Sequence, residues 1–514
     1  MLQIKNVSVS IKHNFRELIR DFQFVLNPGD RAVFIGEEGC GKSTLLKLIY
    51  DENLVSDYAE WSGEIDRSGV HMGYLAQELS DAEKHMGIYD YLGRNIDLSW
   101  EASALAEAAA RFHLPLELLY TNRAVGTLSG GERVKLQLIR ILLEAPDVLL
   151  LDEPTNDIDL ETVKQLEAFI LMCGLPVLYV SHDEELIEKT ANVIIHIEQV
   201  RKKSMPRYTV ARMGYRQYLE SRTASFQHQE QMARKERADY RAQQERWQQI
   251  YNRVDHEQRV ISRADPSGGR LLKKKMKTVK AQQRRFEREA ENMTDFPDTE
   301  EAIFFDFAAG ATIPRSKCVL SYTLPELRAG ERVLARTIKL EVYGPEHVGI
   351  IGANGVGKTT LLRLIAKELL PRRDLTVGYM PQDYTDRLDL AGSPMDFLSS
   401  GHTKDEITRA LTYLGSMRYT HEEMLGRISE LSGGQKAKLF FLELEISGCN
   451  VLLLDEPTRN FSPLSNPVIR ASLQKFGGAI ISISHDRKYL REVCTKLYEL
   501  TPDGLSKVDK EEIV

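Results

Sequence analysis

Gly36-Glu37-Glu38-Gly39-Cys40-Gly41-Lys42-Ser43-Thr44 is the stretch that decides the fold. It is a GxxxxGK[ST] loop between an apolar strand, Ala32-Val33-Phe34-Ile35, and a helix expected over Leu45 to Tyr50, the setting such a loop requires. Gly36, Gly39 and Gly41 let backbone N–H groups curl around phosphate oxygens, and the helix start adds its dipole. Lys42 reaches the β- and γ-phosphates of ATP, the Ser43 hydroxyl suits Mg²⁺, and Thr44 completes the loop's ATP-binding set.

Further along, Val148 to Leu151 reads as a buried strand that ends in Asp152 and Glu153. Asp152 would reach the Mg²⁺ shell and Glu153 would polarise an attacking water. Ser129-Gly130-Gly131 opens the helix that follows Leu128 and offers a hydroxyl and free N–H groups to a γ-phosphate. Gln77 and His182 each follow a predicted strand, at the strand ends where α/β proteins place their chemistry. The second half repeats the set with Gly352, Asn354, Gly355, Gly357, Lys358, Thr359, Thr360, Gln382, Ser432, Gly433, Gly434, Asp455, Glu456 and His485. Ser129, Asp152 and His182 each recur 303 residues later as Ser432, Asp455 and His485, so this portion was duplicated without insertions. The repeat predicts an α/β chain of two tandem P-loop ATPase domains, 1–217 and 296–514.

Between them lies a linker, 218–295. Phe226, Ala233, Tyr240, Trp247, Val254 and Ile261 recur every seven residues, and after a break at Ala264 to Gly269 so do Leu272, Val279, Phe286 and Met293. A seven-residue apolar repeat is a coiled-coil seam. Folded back about Pro266 and Ser267, the stripes pair Ile261 with Leu272, Val254 with Val279, Trp247 with Phe286 and Tyr240 with Met293. An antiparallel helical hairpin is expected, its tip at about 259–275 and its first helix some 44 residues long, or roughly 66 Å. From Tyr218 to Ala290, eighteen Lys and Arg face ten Asp and Glu; with the whole chain at −7, the remainder sits near −15. A positive rod on a negative body suits a polyanion, RNA above all, although an inert spacer with solvated charges has the same composition. Lys273, Lys274, Lys275 and Lys277 are the densest basic run and would bind phosphates, with Arg259, Arg263 and Arg270 flanking them. Trp247 and Tyr251 could stack on bases, but the seam position of Trp247 favours packing.

Apolar residues make up 42% and charged residues 28%, as in ordinary soluble proteins, and no apolar run is long enough to span a membrane. Five scattered cysteines without a CxxC pair argue against zinc, iron–sulfur clusters and disulfides, and point to a reducing cytosol.

The ordered set of P-loop, Gln, Leu-Ser-Gly-Gly, strand-Asp-Glu and His resembles the ABC-type ATPases. The resemblance implies two ATP molecules sandwiched head to tail. One site would join Lys42, Ser43, Gln77, Asp152, Glu153 and His182 to Ser432 and Gly434. The other would join Lys358, Thr359, Gln382, Asp455, Glu456 and His485 to Ser129 and Gly131. It further implies Glu153, Glu456, His182 and His485 as catalytic residues and Ser43, Gln77, Thr359 and Gln382 as Mg²⁺ ligands. Phe15, which lies 21 residues before Gly36, stands where the family stacks an aromatic ring on adenine; Arg332 is nearest to that place in the second half.

Two such domains joined by a charged hairpin resemble the ABC-F family in particular. That resemblance implies a monomer on the 70S ribosome, in the E site, with the hairpin approaching 23S rRNA at the peptidyl transferase centre and the P-site tRNA. The second D-loop, Glu456-Pro457-Thr458-Arg459-Asn460-Phe461-Ser462-Pro463-Leu464-Ser465, departs from the usual form kept by Glu153 to Asp159. It resembles the antibiotic-resistance group that acts on lincosamides, pleuromutilins and streptogramin A. A housekeeping translation factor and the fused ATPase subunit of a sugar importer share parts of the pattern, the latter with a shorter linker. Glu37 and Glu38, beside a triphosphate, are electrostatically out of place unless they face away.

Overall fold

The computed structural model describes residues 2–94, 102–156, 158–200, 205–260, 266–291, 293–294, 296, 312–399 and 403–513. They group into two compact units, Met1–Tyr215 with Glu300–Val514, and Arg216–Thr299.

Each half of the first unit is built on a six-stranded sheet. In the first half the strand order is Met72–Leu75, Val148–Asp152, Val177–Val180, Arg31–Ile35, Val193–Gln199, Met205–Ala211. In the second it is Val377–Met380, Val451–Asp455, Ala479–Ile483, His347–Ile351, Lys496–Thr501, Gly504–Val508. All neighbours pair in parallel except the last two strands of each sheet. Both sheets contain the same five residues, Val-Leu-Leu-Leu-Asp, buried throughout. Unbroken apolar runs of this kind are what a parallel strand covered on both faces requires. Smaller antiparallel sheets flank them: Glu17–Leu26, Leu2–Ile11 and Ala59–Asp66 in the first half, Cys318–Ala329 and Arg332–Tyr343 in the second.

The second unit holds the helices Tyr215–Val260, of 46 residues, and Pro266–Glu291, of 26. Val254, Leu272, Met276 and Val279 are buried along their seam, with Phe226, Tyr240, Trp247 and Phe286 half-buried, while Lys273, Lys274, Lys275 and Lys277 face solvent. The second helix begins at Pro266, so Ser267, Gly268 and Gly269, expected in the break, are helical. Proline tolerates a first helical position because the N–H it lacks has no partner there anyway. The indole N–H of Trp247 donates to the carbonyl of Val279, 2.8 Å away and one heptad nearer the turn than Phe286. Nearer the open end the hairpin register holds, since Thr294 N–H donates to Glu236 at 2.7 Å and Arg237 lies over the Phe296 ring. Ile261 and Arg263 fall outside the described residues.

Candidate active sites

Both P-loops close on a carbonyl oxygen at the sheet's antiparallel edge. A Cβ on Gly36 (φ 141°) would lie 2.1 Å from the Ile197 oxygen, and one on Gly352 (φ 143°) 2.4 Å from the Leu500 oxygen. Only glycine fits either place. The helices Lys42–Tyr50 and Lys358–Leu369 follow at once. Lys42 Nζ donates to the carbonyls of Gly36 and Glu37 at 2.9 and 2.8 Å, and Lys358 Nζ to those of Gly352 and Ala353 at 2.8 and 3.1 Å. Each lysine is thus held over its own loop, facing the place a polyphosphate would take.

In the first site Ser43 Oγ donates to Asp152 at 2.6 Å, and the Tyr74 hydroxyl reaches the other Asp152 oxygen at 3.2 Å. Glu153 Oε1 lies 3.0 Å from His182 Nε2, while His182 Nδ1 meets the Phe461 carbonyl of the opposite half at 2.9 Å. That carbonyl requires the proton on Nδ1, which fixes the ring's orientation. Burial works to raise Glu153, but His182 and Lys42 outweigh it and hold the carboxyl below its ordinary range. Glu153 Oε2 is buried with no hydrogen-bond partner among the described residues, an orphaned acceptor suited to orienting water.

The second site differs. His485 Nε2 lies 3.6 Å from Glu456 Oε1, and its Nδ1 is buried without a partner among the described residues. Burial, then the neighbouring Asp455, pushes Glu456 well above the carboxylate range, and burial lifts Asp455 to about 6. Burial, then Lys358, drives His485 down to about 3. The backbone is alike in both: Glu153 and Glu456 sit at φ 49° and 53°, in the left-handed region that non-glycine residues avoid. Strain held at the same place in both halves marks a position the surrounding fold enforces.

A cavity of about 200 Å³ at the first site is lined by Glu38, Gly39, Gly41, Lys42, Ser43, Thr44, Gln77, Glu153 and His182, with Arg459 and Asn460 from the opposite half. The second cavity, about 560 Å³, is lined by Asn354, Gly355, Gly357, Lys358, Thr359, Thr360, Gln382, Asp455, Glu456 and His485, with Asn156 and Ile158 opposite. Thr359 Oγ1 lies 3.5 Å from Gln382 Oε1. Both Asp455 oxygens are buried without hydrogen-bond partners among the described residues, a donor set that fits a divalent cation. Mg²⁺ bound there would neutralise phosphate charge.

Of the glycine motifs, Ser432, Gly433 and Gly434 approach the first P-loop, where the Glu38 carboxylate accepts the Gly434 N–H. Ser129, Gly130 and Gly131 do not line the second cavity. Ser129 and Ser432 each cap their helix by accepting the N–H of Glu132 or Gln435. Phe15 is 79% exposed and does not line the first cavity, whereas Arg332 lines the second.

Beside the histidines, a cluster that motif reading missed joins the halves. Arg470 reaches Glu184 at 2.5 and 3.1 Å, and Arg487 bonds Glu167. Lys488 pairs with Glu188 at 2.8 Å, and Arg487 lies 3.4 Å from Glu185. Comparing the halves at the offset of 303 reveals it: Glu167, Glu184, Glu185 and Glu188 become Arg470, Arg487, Lys488 and Arg491. The pairs Glu167–Arg487 and Glu184–Arg470 are one contact repeated with its charges inverted.

A family model described as ABC transporter matches residues 19–156 and 335–459, just over half of the chain. The chain belongs to that family. It carries two tandem ABC ATPase domains, and its relatives are ABC-F proteins. The probable ATP-binding protein YheS of Escherichia coli strain K12 is 27% identical over 96% of this chain and 77% of its own length. The putative ATP-binding protein YdiF of Bacillus subtilis is 26% identical, over 98% and 80%. Human ATP-binding cassette sub-family F member 3 is 27% identical, over 99% and 72%. Among solved structures, archaeal aABCE1 in its complex with the ribosomal stalk protein aP1 shares the fold (TM-score 0.58, 16% identity, 98% of this chain and 89% of that one). So does a chain in a model of ribosome-bound archaeal Pelota and ABCE1 (TM-score 0.55, 16% identity, 94% and 75%). No described helix is long and apolar enough to cross a membrane.

Proposed function

We propose that this ABC ATPase is a ribosome-binding factor of the ABC-F kind, which uses ATP and Mg²⁺ to close its halves and ATP hydrolysis to open them. In this reading the Lys42 and Lys358 loops hold the triphosphates, and Ser43, Gln77, Thr359 and Gln382 hold Mg²⁺ together with Asp152 and Asp455. Glu153 and Glu456 polarise water, steadied by His182 and His485. Ser432 and Gly434 receive the γ-phosphate of the first site, and Ser129 and Gly131 that of the second. The hairpin enters the E site and reaches toward the P-site tRNA and the peptidyl transferase centre, where it protects the ribosome from lincosamides, pleuromutilins and streptogramin A.

The observation that carries this reading is the return helix of the hairpin. Between Pro266 and Glu291 it holds nine Lys and Arg against three Glu. Its apolar residues Leu272, Met276 and Val279 are buried while Arg270 and the lysines from Lys273 to Lys277 are exposed. A helix that hides its apolar stripe and presents cations suits phosphate contacts that position without reading sequence. The sub-family F relative and the ribosomal setting of the two similar folds support the same destination.

Replacing Lys273, Lys274, Lys275 and Lys277 with Gln tests it. Co-sedimentation with 70S ribosomes should weaken, and the slope of log affinity against log salt should fall by about 0.7 to 0.9 for each phosphate the helix no longer neutralises. A susceptibility panel with the three drug classes separates protection from a housekeeping role: loss of resistance supports protection, and an unchanged panel with altered translation supports the other.

A further inference from the structure

The first P-loop differs from the second in charge at two adjacent positions: Glu37 and Glu38 stand where the second has Ala353 and Asn354. Neither carboxylate faces away. Glu38 accepts the backbone N–H of Gly434, in the first turn of the opposing helix Gly433–Ile446, and Glu37 Oε1 lies 3.1 Å from Lys438 Nζ, four residues further along that helix. The approach is close enough that a Cβ on Gly433 would lie 2.9 Å from Glu38 Oε1. At the second site the counterparts are neutral, and Ser129, Gly130 and Gly131 do not line its cavity.

A helix start with free N–H groups is an anion receptor. If Gly434 receives the γ-phosphate, as the proposed function has it, the receptor at the first site is already filled by a carboxylate from the facing loop. We propose that Glu38 sets the choice between ATP and ADP at the first site by standing in for the γ-phosphate. ADP, which lacks that phosphate, leaves the Glu38 contact in place. ATP must displace it, and the displaced carboxylate then lies close to the triphosphate, a like-charge contact in a half-buried cavity. Glu37 strengthens the contact by anchoring the loop to Lys438. The first site therefore favours ATP over ADP less than the second does, and stays drawn together without nucleotide.

The test uses the full chain carrying Lys358→Met, so that only the first site binds. Fluorescent ATP and ADP analogues are titrated in the presence of Mg²⁺ against this parent, then against the same chain with Glu38→Asn or Glu38→Gln. Asn is what the second loop carries, and Gln keeps the shape if Asn disturbs the loop. The affinity for ATP should rise about tenfold or more relative to ADP, as expected when a charged hydrogen bond no longer has to be broken. The reverse graft, Asn354→Glu in a Lys42→Met chain, should lower the ATP-to-ADP ratio at the second site. An unchanged ratio in the Glu38 variants would overturn the inference and leave the nucleotide sites standing. A Lys358→Met parent that binds neither nucleotide would overturn the site assignment and this inference with it.

Discussion

The two halves follow one plan, with the Ser-Gly-Gly motifs, the strand-end carboxylates and the histidines 303 residues apart, and their charges diverge at several places where they meet. In the first half Glu153 is held by His182 below the carboxylate range; in the second, burial and Asp455 lift Glu456 above it. The first P-loop carries Glu37 and Glu38 and touches the opposing glycine motif, whereas the second has Ala353 and Asn354 in their place and lines the larger cavity. At the contact beside the histidines, glutamates of the first half face arginines and a lysine of the second. Two copies of the first half would meet there Glu to Glu, and two copies of the second Arg to Arg. Duplication supplied the geometry, and the divergence of charge makes each half fit the other better than a copy of itself.

The largest test of this contrast is chemical. Replacing Glu153 or Glu456 with Gln should cut turnover at its own site by about 10²- to 10⁴-fold, the usual range for losing a general base. Each single variant then reports the other site through steady-state phosphate release. The site of Glu153 should be the faster at neutral pH because its carboxylate is already ionised. Equal rates would erase the contrast.

Next comes the interface. Glu184→Arg against Arg470 should cost about 3 to 5 kcal/mol in urea unfolding, because it leaves buried charge unpaired. Adding Arg470→Glu should restore most of it. The exposed pair Arg234–Glu230 of the hairpin, 2.5 Å apart, serves as a control, and breaking it should cost about 1 kcal/mol or less.

The pH dependence sharpens the comparison further. A raised carboxylate is protonated over more of the pH range, so kcat/KM of the second site should climb as pH rises toward about 8, where Glu456 ionises. Glu153, held below the carboxylate range, stays ionised and should add no such rise at the first site. The sign for stability is opposite: Asp455 contributes most below its ordinary 3.8, and the contribution is lost as pH rises through about 6. The smallest effect is a control on sameness. Ser129→Ala and Ser432→Ala each remove a helix cap of equal geometry and should each cost about 1 kcal/mol in unfolding.

Much of this was legible in the chain. Two P-loops in strand-loop-helix settings and a doubled Val-Leu-Leu-Leu-Asp-Glu run define the folds, because phosphate binding and parallel burial each admit few residue types. The heptads showed the hairpin, yet not its tip: Pro266 looked like a breaker but serves as a helix start. Nor did they show that Trp247 would bond the Val279 carbonyl. The roles of Glu37 and Glu38 were hidden because their partners, Gly434 and Lys438, lie some 400 residues away. The inverted charges at 167, 184, 185 and 188 were present in the alignment of the halves, but each is an unremarkable surface residue until its partner is known. The difference between Glu153 and Glu456 depends on their neighbours, His182 and Lys42 against Asp455, and on distances of 3.0 against 3.6 Å to histidine, which no motif encodes.

The central claim is that ATP draws two unlike halves together so that the basic hairpin docks on the ribosome. Its most direct measurement is co-sedimentation of the Glu153→Gln, Glu456→Gln double variant with 70S ribosomes, with ATP and without it. The account predicts retention of the variant on ribosomes with ATP and release without nucleotide. Equal recovery in both conditions, or none at any ionic strength, would contradict it.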